Sequence, residues 1–192
     1  MHVLMINGSP KRNGNTSRLL AGVAVPLQAA GVTTELVQLA DTPIQGCHGC
    51  GACGKNKNGL CAITGDALNT LLPRLFAADG IVLGSPVYFA DVSSEMLALI
   101  HRAGMVSRFN GDLLRRKVAA GVVAVRRGGA IHAFDTLNHF FLIGQMIVAG
   151  STYWNMGLGR LPGEVENDAE GMATMRVLGE NMAWLLEKIH HA

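Results

Sequence analysis

With 192 residues, 49% hydrophobic and only 16% charged, the chain can bury the core of one ordinary domain and is too apolar to be disordered. A formal net charge of +2 is too small to argue for nucleic acid or a membrane surface as partner. The richest apolar stretch, Phe140 to Gly150, falls short of a spanning helix and contains Gln145, and no leader pattern opens the chain, so a cytoplasmic protein is expected.

The first apolar run, Val3–Ile6, reads as a buried strand, and Thr16–Ala30 as the helix after it. Between them lies Asn7-Gly8-Ser9-Pro10-Lys11-Arg12-Asn13-Gly14-Asn15-Thr16-Ser17. Gly8 and Gly14 permit close backbone approach, while Ser9, Asn15, Thr16 and Ser17 offer polar donors. Lys11 and Arg12 add charge at the start of a helix, whose free N–H groups and dipole favour an anion. The segment suits a phosphate, although it is neither a Walker A loop nor Gly-x-Gly-x-x-Gly.

After a second strand, Thr34–Leu39, the loop 46–61 holds all four cysteines as Cys47-x2-Cys50-x2-Cys53-x7-Cys61. Cysteine used as a small hydrophobe scatters, whereas cysteine used as a ligand clusters. Four thiolates satisfy a cubane cluster, and glycines 46, 49, 51, 54 and 59 let backbone N–H groups turn toward it. Redox-active free thiols, zinc and disulfides stay open as readings of the same four residues.

Asp66–Ala78 reads as the next helix, with Pro73 expected to kink or restart it. Strand Gly80–Gly84 leads into Ser85-Pro86-Val87-Tyr88-Phe89, where proline stiffens a turn and two aromatics can wall a flat ring. Helix Ser93–Ala103 and strand Val118–Val125 follow. Then come Arg126-Arg127-Gly128-Gly129, two cations that can balance an anionic flavin or an NADPH phosphate, and two glycines that admit a ring. A solvated charged turn is the plainer reading of those arginines.

Helix Ile131–Ile143, strand Met146–Ser151 and helix Asp168–His190 complete the chain. His132 and His139 share a helix face and suit a surface or interface, and His190 and His191 a frayed terminus. Phe140 and Phe141 either both enter the core or leave one for a partner. Gly157-Leu158-Gly159-Arg160 carries no nucleotide fingerprint. Five short apolar strands alternating with five helices give one α/β domain over 1–192: a flavodoxin-like, doubly wound, five-stranded parallel sheet with helices on both faces.

Taken together, these segments resemble the flavodoxin-like NAD(P)H-dependent FMN reductases over nearly the whole chain. Gly8-Ser9-Pro10 with Gly14-Asn15-Thr16 is similar to that family's FMN phosphate loop, and Ser85–Phe89 to its isoalloxazine loop. The resemblance implies that Ser9, Lys11, Arg12, Asn15, Thr16 and Ser17 meet the phosphate. It also implies that Pro86, Val87, Tyr88, Phe89, Arg126, Arg127, Gly128 and Gly129 meet the ring. The cysteine loop resembles the iron–sulfur flavoprotein branch, which implies a [4Fe–4S] cluster on Cys47, Cys50, Cys53 and Cys61. Two departures are visible: Thr64-Gly65-Asp66 replaces an acidic pair, and His101-Arg102 stands where relatives carry Asp-Arg.

The implied activity is an FMN-dependent oxidoreductase in which flavin N5, not a protein side chain, carries the chemistry. NAD(P)H is a possible co-substrate, with a ferredoxin-like redox protein or a small-molecule acceptor as partner. The alternatives are a clusterless NAD(P)H-dependent FMN, quinone or azo reductase and a non-enzymatic electron carrier. Such flavoproteins usually associate, so a homodimer or homotetramer is expected.

Overall fold

The computed structural model describes residues 1–190, and His191 lies outside them. The strands are β1 (His2–Asn7), β2 (Thr33–Gln38), β3 (Gly80–Pro86), β4 (Val118–Val125), β5 (Ile147–Val148) and β6 (Met156–Leu158). The helices are α1 (Asn15–Ala29), α2 (Ala52–Asn56), α3 (Leu68–Ala77), α4 (Ser94–Phe109), α5 (Ala130–Ile143) and α6 (Ala169–His190). All pairings are parallel, in the order β2-β1-β3-β4-β5, with β6 also on β4. This is the doubly wound flavodoxin order, and its switch point lies between β1 and β3.

Strands covered on both faces need apolar side chains on both, which is why β1, β3 and β4 read as unbroken apolar runs and are almost wholly buried. One face packs on α1 and α6 through Leu19, Leu20, Val23, Met175 and Leu178. The other packs on α3, α4 and α5 through Leu72, Leu99, Leu137 and Phe141. The helices α1 and α6 approach so closely that a Cβ on Gly179 would stand 2.4 Å from the Val23 carbonyl oxygen.

Three expectations need revision. Strand Met146–Ser151 is cut to two residues, and the chain leaves the sheet after Ala149, exposed at Thr152, Tyr153 and Trp154, before rejoining β4 at Asn155 and as β6. Polar groups hold that excursion: Ser151 Oγ donates to Tyr153 O at 2.7 Å, and Val123 N–H donates to Asn155 O at 2.9 Å. Of the two readings of α5, the structure bears out the one that puts both Phe140 and Phe141 in the core, and the exposed apolar residues of that helix are Ile131, Leu142 and Ile143. Helix α3 begins at Leu68 rather than Asp66, whose carboxylate accepts the Leu68 N–H at 3.2 Å, and it continues through Pro73 without restarting. Finally, α4 runs on to Phe109, capped at its start by Ser93, whose Oγ accepts the Met96 N–H.

Among the described residues no helix is long and apolar enough to cross a membrane.

Candidate functional site

The loops after β1, β3 and β4 meet at the carboxyl end of the sheet beside the switch point. Asn7 ends β1 fully buried, and its Oδ1 accepts the Ser9 N–H at 2.9 Å, which turns the chain. Its Nδ2 donates to Gln38 Oε1 at 2.8 Å, and Gln38 Nε2 donates in turn to Ser9 O. The end of β2 therefore props the first loop from behind. Ser9 Oγ accepts the Lys11 N–H at 3.1 Å. No side chain caps α1 and no acid lies in its first turn, so its positive end faces the loop uncompensated.

The second loop is fixed by Ser85, whose Oγ accepts the Ser93 N–H at 2.9 Å, and by Val87 N–H, which donates to Ala124 O at 3.0 Å. Tyr88 and Asp91 exchange backbone hydrogen bonds across a tight turn in which Phe89 and Ala90 both have positive φ. That conformation is uncommon for residues with a Cβ and stores strain beside the site. Burial, and then the Glu95 carboxylate, push the Tyr88 phenol above its usual pKa, so it stays neutral. Gly129 enters α5 with φ +86, packed against Ala90 and Val87, where a Cβ would stand 3.0 Å from Ala90 Cα.

These loops enclose a cavity of about 200 Å³. Of the residues singled out from the sequence it gathers Ser9, Lys11, Asn15, Thr16, Pro86, Val87, Tyr88 and Arg126. The lining carries three cationic side chains, Lys11, Arg126 and Arg160, and no carboxylate. An anion with a planar extension matches that wall: hydroxyl, amide and cation at one end, proline and aromatic at the other. FMN is such a group.

Other expected residues lie outside the lining. Arg12 is mostly exposed and pairs with Asp41 at 2.5 Å. Ser17 Oγ donates to Gly14 O at 2.8 Å. Phe89 is fully exposed at the tip of its turn, and Arg127, Gly128 and Gly129 do not reach the cavity. Asn15 reaches it but also works structurally: its Oδ1 accepts the N–H groups of Gly163 and Val165 at 2.9 and 3.3 Å. That clasp brings in Gly159 and Arg160, read from the sequence as part of a glycine pair without a nucleotide fingerprint, and Pro162, which was not singled out. The signal available was a lone cation in a glycine- and proline-rich turn after the last strand.

The cysteine loop lies elsewhere, across α4. Its four thiols are free, with Cys47 and Cys50 exposed and Cys53 and Cys61 half-buried. All four line one cavity of about 20 Å³ together with His48 and Arg102. Among the described residues no three histidine, cysteine or acidic side chains converge at ligating separation. The donor set nonetheless fits a thiolate-bound cluster: four unpaired sulfurs on one hollow, with no carboxylate in its wall. Gly49, Gly51 and Gly59 adopt positive φ, and Gly49 N–H already points at Cys47 Sγ at 3.5 Å.

Arg102 and Asp66 close the neck of this loop as a buried pair. Burial opposes the Asp66 charge. The Arg102 guanidinium and the N–H groups of Gln45 and Leu68 outweigh it, holding the carboxyl below its ordinary pKa.

The family model described as NADPH-dependent FMN reductase matches residues 1–160. An iron–sulfur flavoprotein of Methanocaldococcus jannaschii is 37% identical over 196 residues, spanning 98% of this chain and 99% of its own. One from Archaeoglobus fulgidus is 36% identical over 173 residues, spanning 88% and 83%. In fold, the chain is similar to RosB, solved with a bound formylriboflavin phosphate intermediate, at a TM-score of 0.81 and 22% identity over 100% of this chain and 81% of that one.

Proposed function

Since the chain belongs to the NADPH-dependent FMN reductase family, and within it to the iron–sulfur flavoproteins, we propose that its cavity at the switch point binds FMN and that Cys47, Cys50, Cys53 and Cys61 hold a [4Fe–4S] cluster. The protein is a flavin-dependent oxidoreductase. The observation that carries the FMN assignment is the gathering of Lys11, Arg126 and Arg160 with the uncapped start of α1 in one carboxylate-free cavity.

When bound, FMN supplies both two-electron hydride chemistry and one-electron transfer, and a cubane passes electrons singly. The chain's residues position and shield. Ser9, Thr16 and the first turn of α1 receive the phosphate, with Lys11, Arg126 and Arg160 balancing its charge. Pro86, Val87 and Tyr88 form the wall for the ring and keep water from one side of it. NAD(P)H or a ferredoxin-like protein donates electrons, and a redox protein or small molecule accepts them. A groove of about 690 Å³ between α4 and α5, flanked by exposed Met105 and Ile143, supports a homodimer or homotetramer. Were the thiols to stay free, the same flavin site would serve a clusterless NAD(P)H-dependent FMN, quinone or azo reductase, or a non-enzymatic carrier.

Anaerobic reconstitution followed by flavin, iron and sulfide analysis tests both halves. Apoprotein should take up FMN far more tightly than riboflavin or FAD, and equal affinity for all three overturns the FMN assignment. Protein that retains four titratable thiols and no iron after reconstitution overturns the cluster.

A further inference from the structure

Arg102 is 1% exposed, the largest fully buried side chain among the described residues, and it projects from α4 into the neck of the cysteine loop. Its donors are divided among four acceptors. Nε donates to Cys61 Sγ at 3.4 Å, Nη2 to Ile63 O at 3.1 Å, and Nη1 to Gln45 O at 3.1 Å and to the Asp66 carboxylate. Asp66 completes the knot by accepting the Gln45 N–H at 2.9 Å. One guanidinium thus grips the chain two residues before the first cysteine and two residues after the last.

A buried ion pair is a poor way to gain stability, because apolar residues of similar volume often serve as well or better. Its use here points to placement. The loop between the two grips has five glycines and two exposed thiols; Asn69 holds the backbone of Cys61 and Asn110 that of Cys53 and Gly59, but among these partners Arg102 alone reaches both ends of the loop and a sulfur. Cys61 is the sulfur that receives a cationic donor, and such a donor draws electron density from a ligating thiolate.

We propose that Arg102 is the positioning residue of the cysteine centre, holding both ends of the loop in register and tuning its metal through the hydrogen bond to Cys61. The inference rests on the cluster reading above. Loss of this donor makes a bound cluster easier to strip and moves its reduction potential negative, because the thiolate becomes more electron-rich.

The test uses the anaerobically reconstituted, FMN-loaded protein. Arg102→Lys keeps a cation beside Asp66 but loses the forked donation. The double variant Arg102→Met/Asp66→Leu removes both charges, so neither is left buried and unpaired, while the backbone groups of Gln45 and Ile63 lose their partners and Arg102→Lys serves as the milder arm. Iron release to a chelator and an EPR-monitored redox titration are measured beside FMN content and far-UV circular dichroism. The double variant should release iron at least about tenfold faster, within the range typical of lost outer-shell partners. Its cluster potential should be more negative, with Arg102→Lys intermediate and FMN content unchanged. Wild-type release rates and potentials in both variants overturn the assignment of Arg102 alone. A parallel loss of FMN, circular dichroism and iron also overturns it, since that marks a merely structural role. If the wild-type chain takes up no iron or sulfide, the cluster reading falls and this inference with it.

Discussion

At the scale of single residues, the two arginines flanking the flavin cavity differ in what their surroundings leave free. Arg160 lines the cavity, whereas Arg12 is spent on Asp41 at the surface. Arg160→Ala should weaken FMN binding by roughly tenfold, about 1.4 kcal/mol, and leave riboflavin binding unchanged, because only the phosphate is lost as a partner. Arg12→Ala should leave both affinities within twofold or so, since an exposed pair contributes about 0–1 kcal/mol. Flavin fluorescence titration reads both. Asp66 carries a pH prediction. Its folded pKa lies below the usual aspartate value of about 3.9, so its contribution is complete above that value and is lost as pH falls through the lowered one. Urea midpoints should therefore fall more steeply on acidification below about pH 4 in the wild type than in Asp66→Asn, which has no carboxyl to protonate.

At the scale of elements, α1 and α6 are locked by absent side chains. Gly179→Ala would drive a Cβ to 2.4 Å from Val23 O and 2.5 Å from Pro26 Cγ, against backbone and a rigid ring that cannot turn aside. Urea denaturation should show a loss of about 1–3 kcal/mol, the usual cost of overpacking. The elements themselves were legible where burial imposed a period: β1, β3 and β4 are apolar on both faces, and the loops after them announce a phosphate and a ring by composition. The split of the fifth strand was not legible, because Met146–Ser151 has the apolar character of a strand up to Ala149, and the bonds that divert it come from distant parts of the chain, Val123 N–H to Asn155 O, Asn181 to Gly150 O and Thr152 with Thr174. Arg160 was illegible for a related reason. It reaches the cavity through Asn15, which lies 148 residues from its partner Gly163. Arg102 was hidden likewise: the sequence showed a departure only at its neighbour His101, and the four acceptors of its guanidinium come from a loop folded over α4.

At the scale of the whole molecule, α5 presents Leu142 and Ile143 to solvent beside the groove along α4. Charge on that face should matter only if it is covered. The variant Leu142→Asp/Ile143→Asp should scatter light as a 20.3 kDa monomer where the wild type scatters as an oligomer, with FMN binding retained. The interruption of the fifth strand bears on how the molecule comes apart. The strands β5 and β6 share β4 as neighbour, yet seven residues, 149–155, separate them, and their middle, Thr152 to Trp154, is exposed. Two residues of pairing can therefore unzip with the end of α5 while β6 stays seated beside the flavin loops. Amide hydrogen exchange should report this as two separate openings, with the amides of Ile147 and Ala149 exchanging well before those of Val123 and Gly159. The sheet edge then behaves as two latches in series, and the one nearer the chemistry is the last to release.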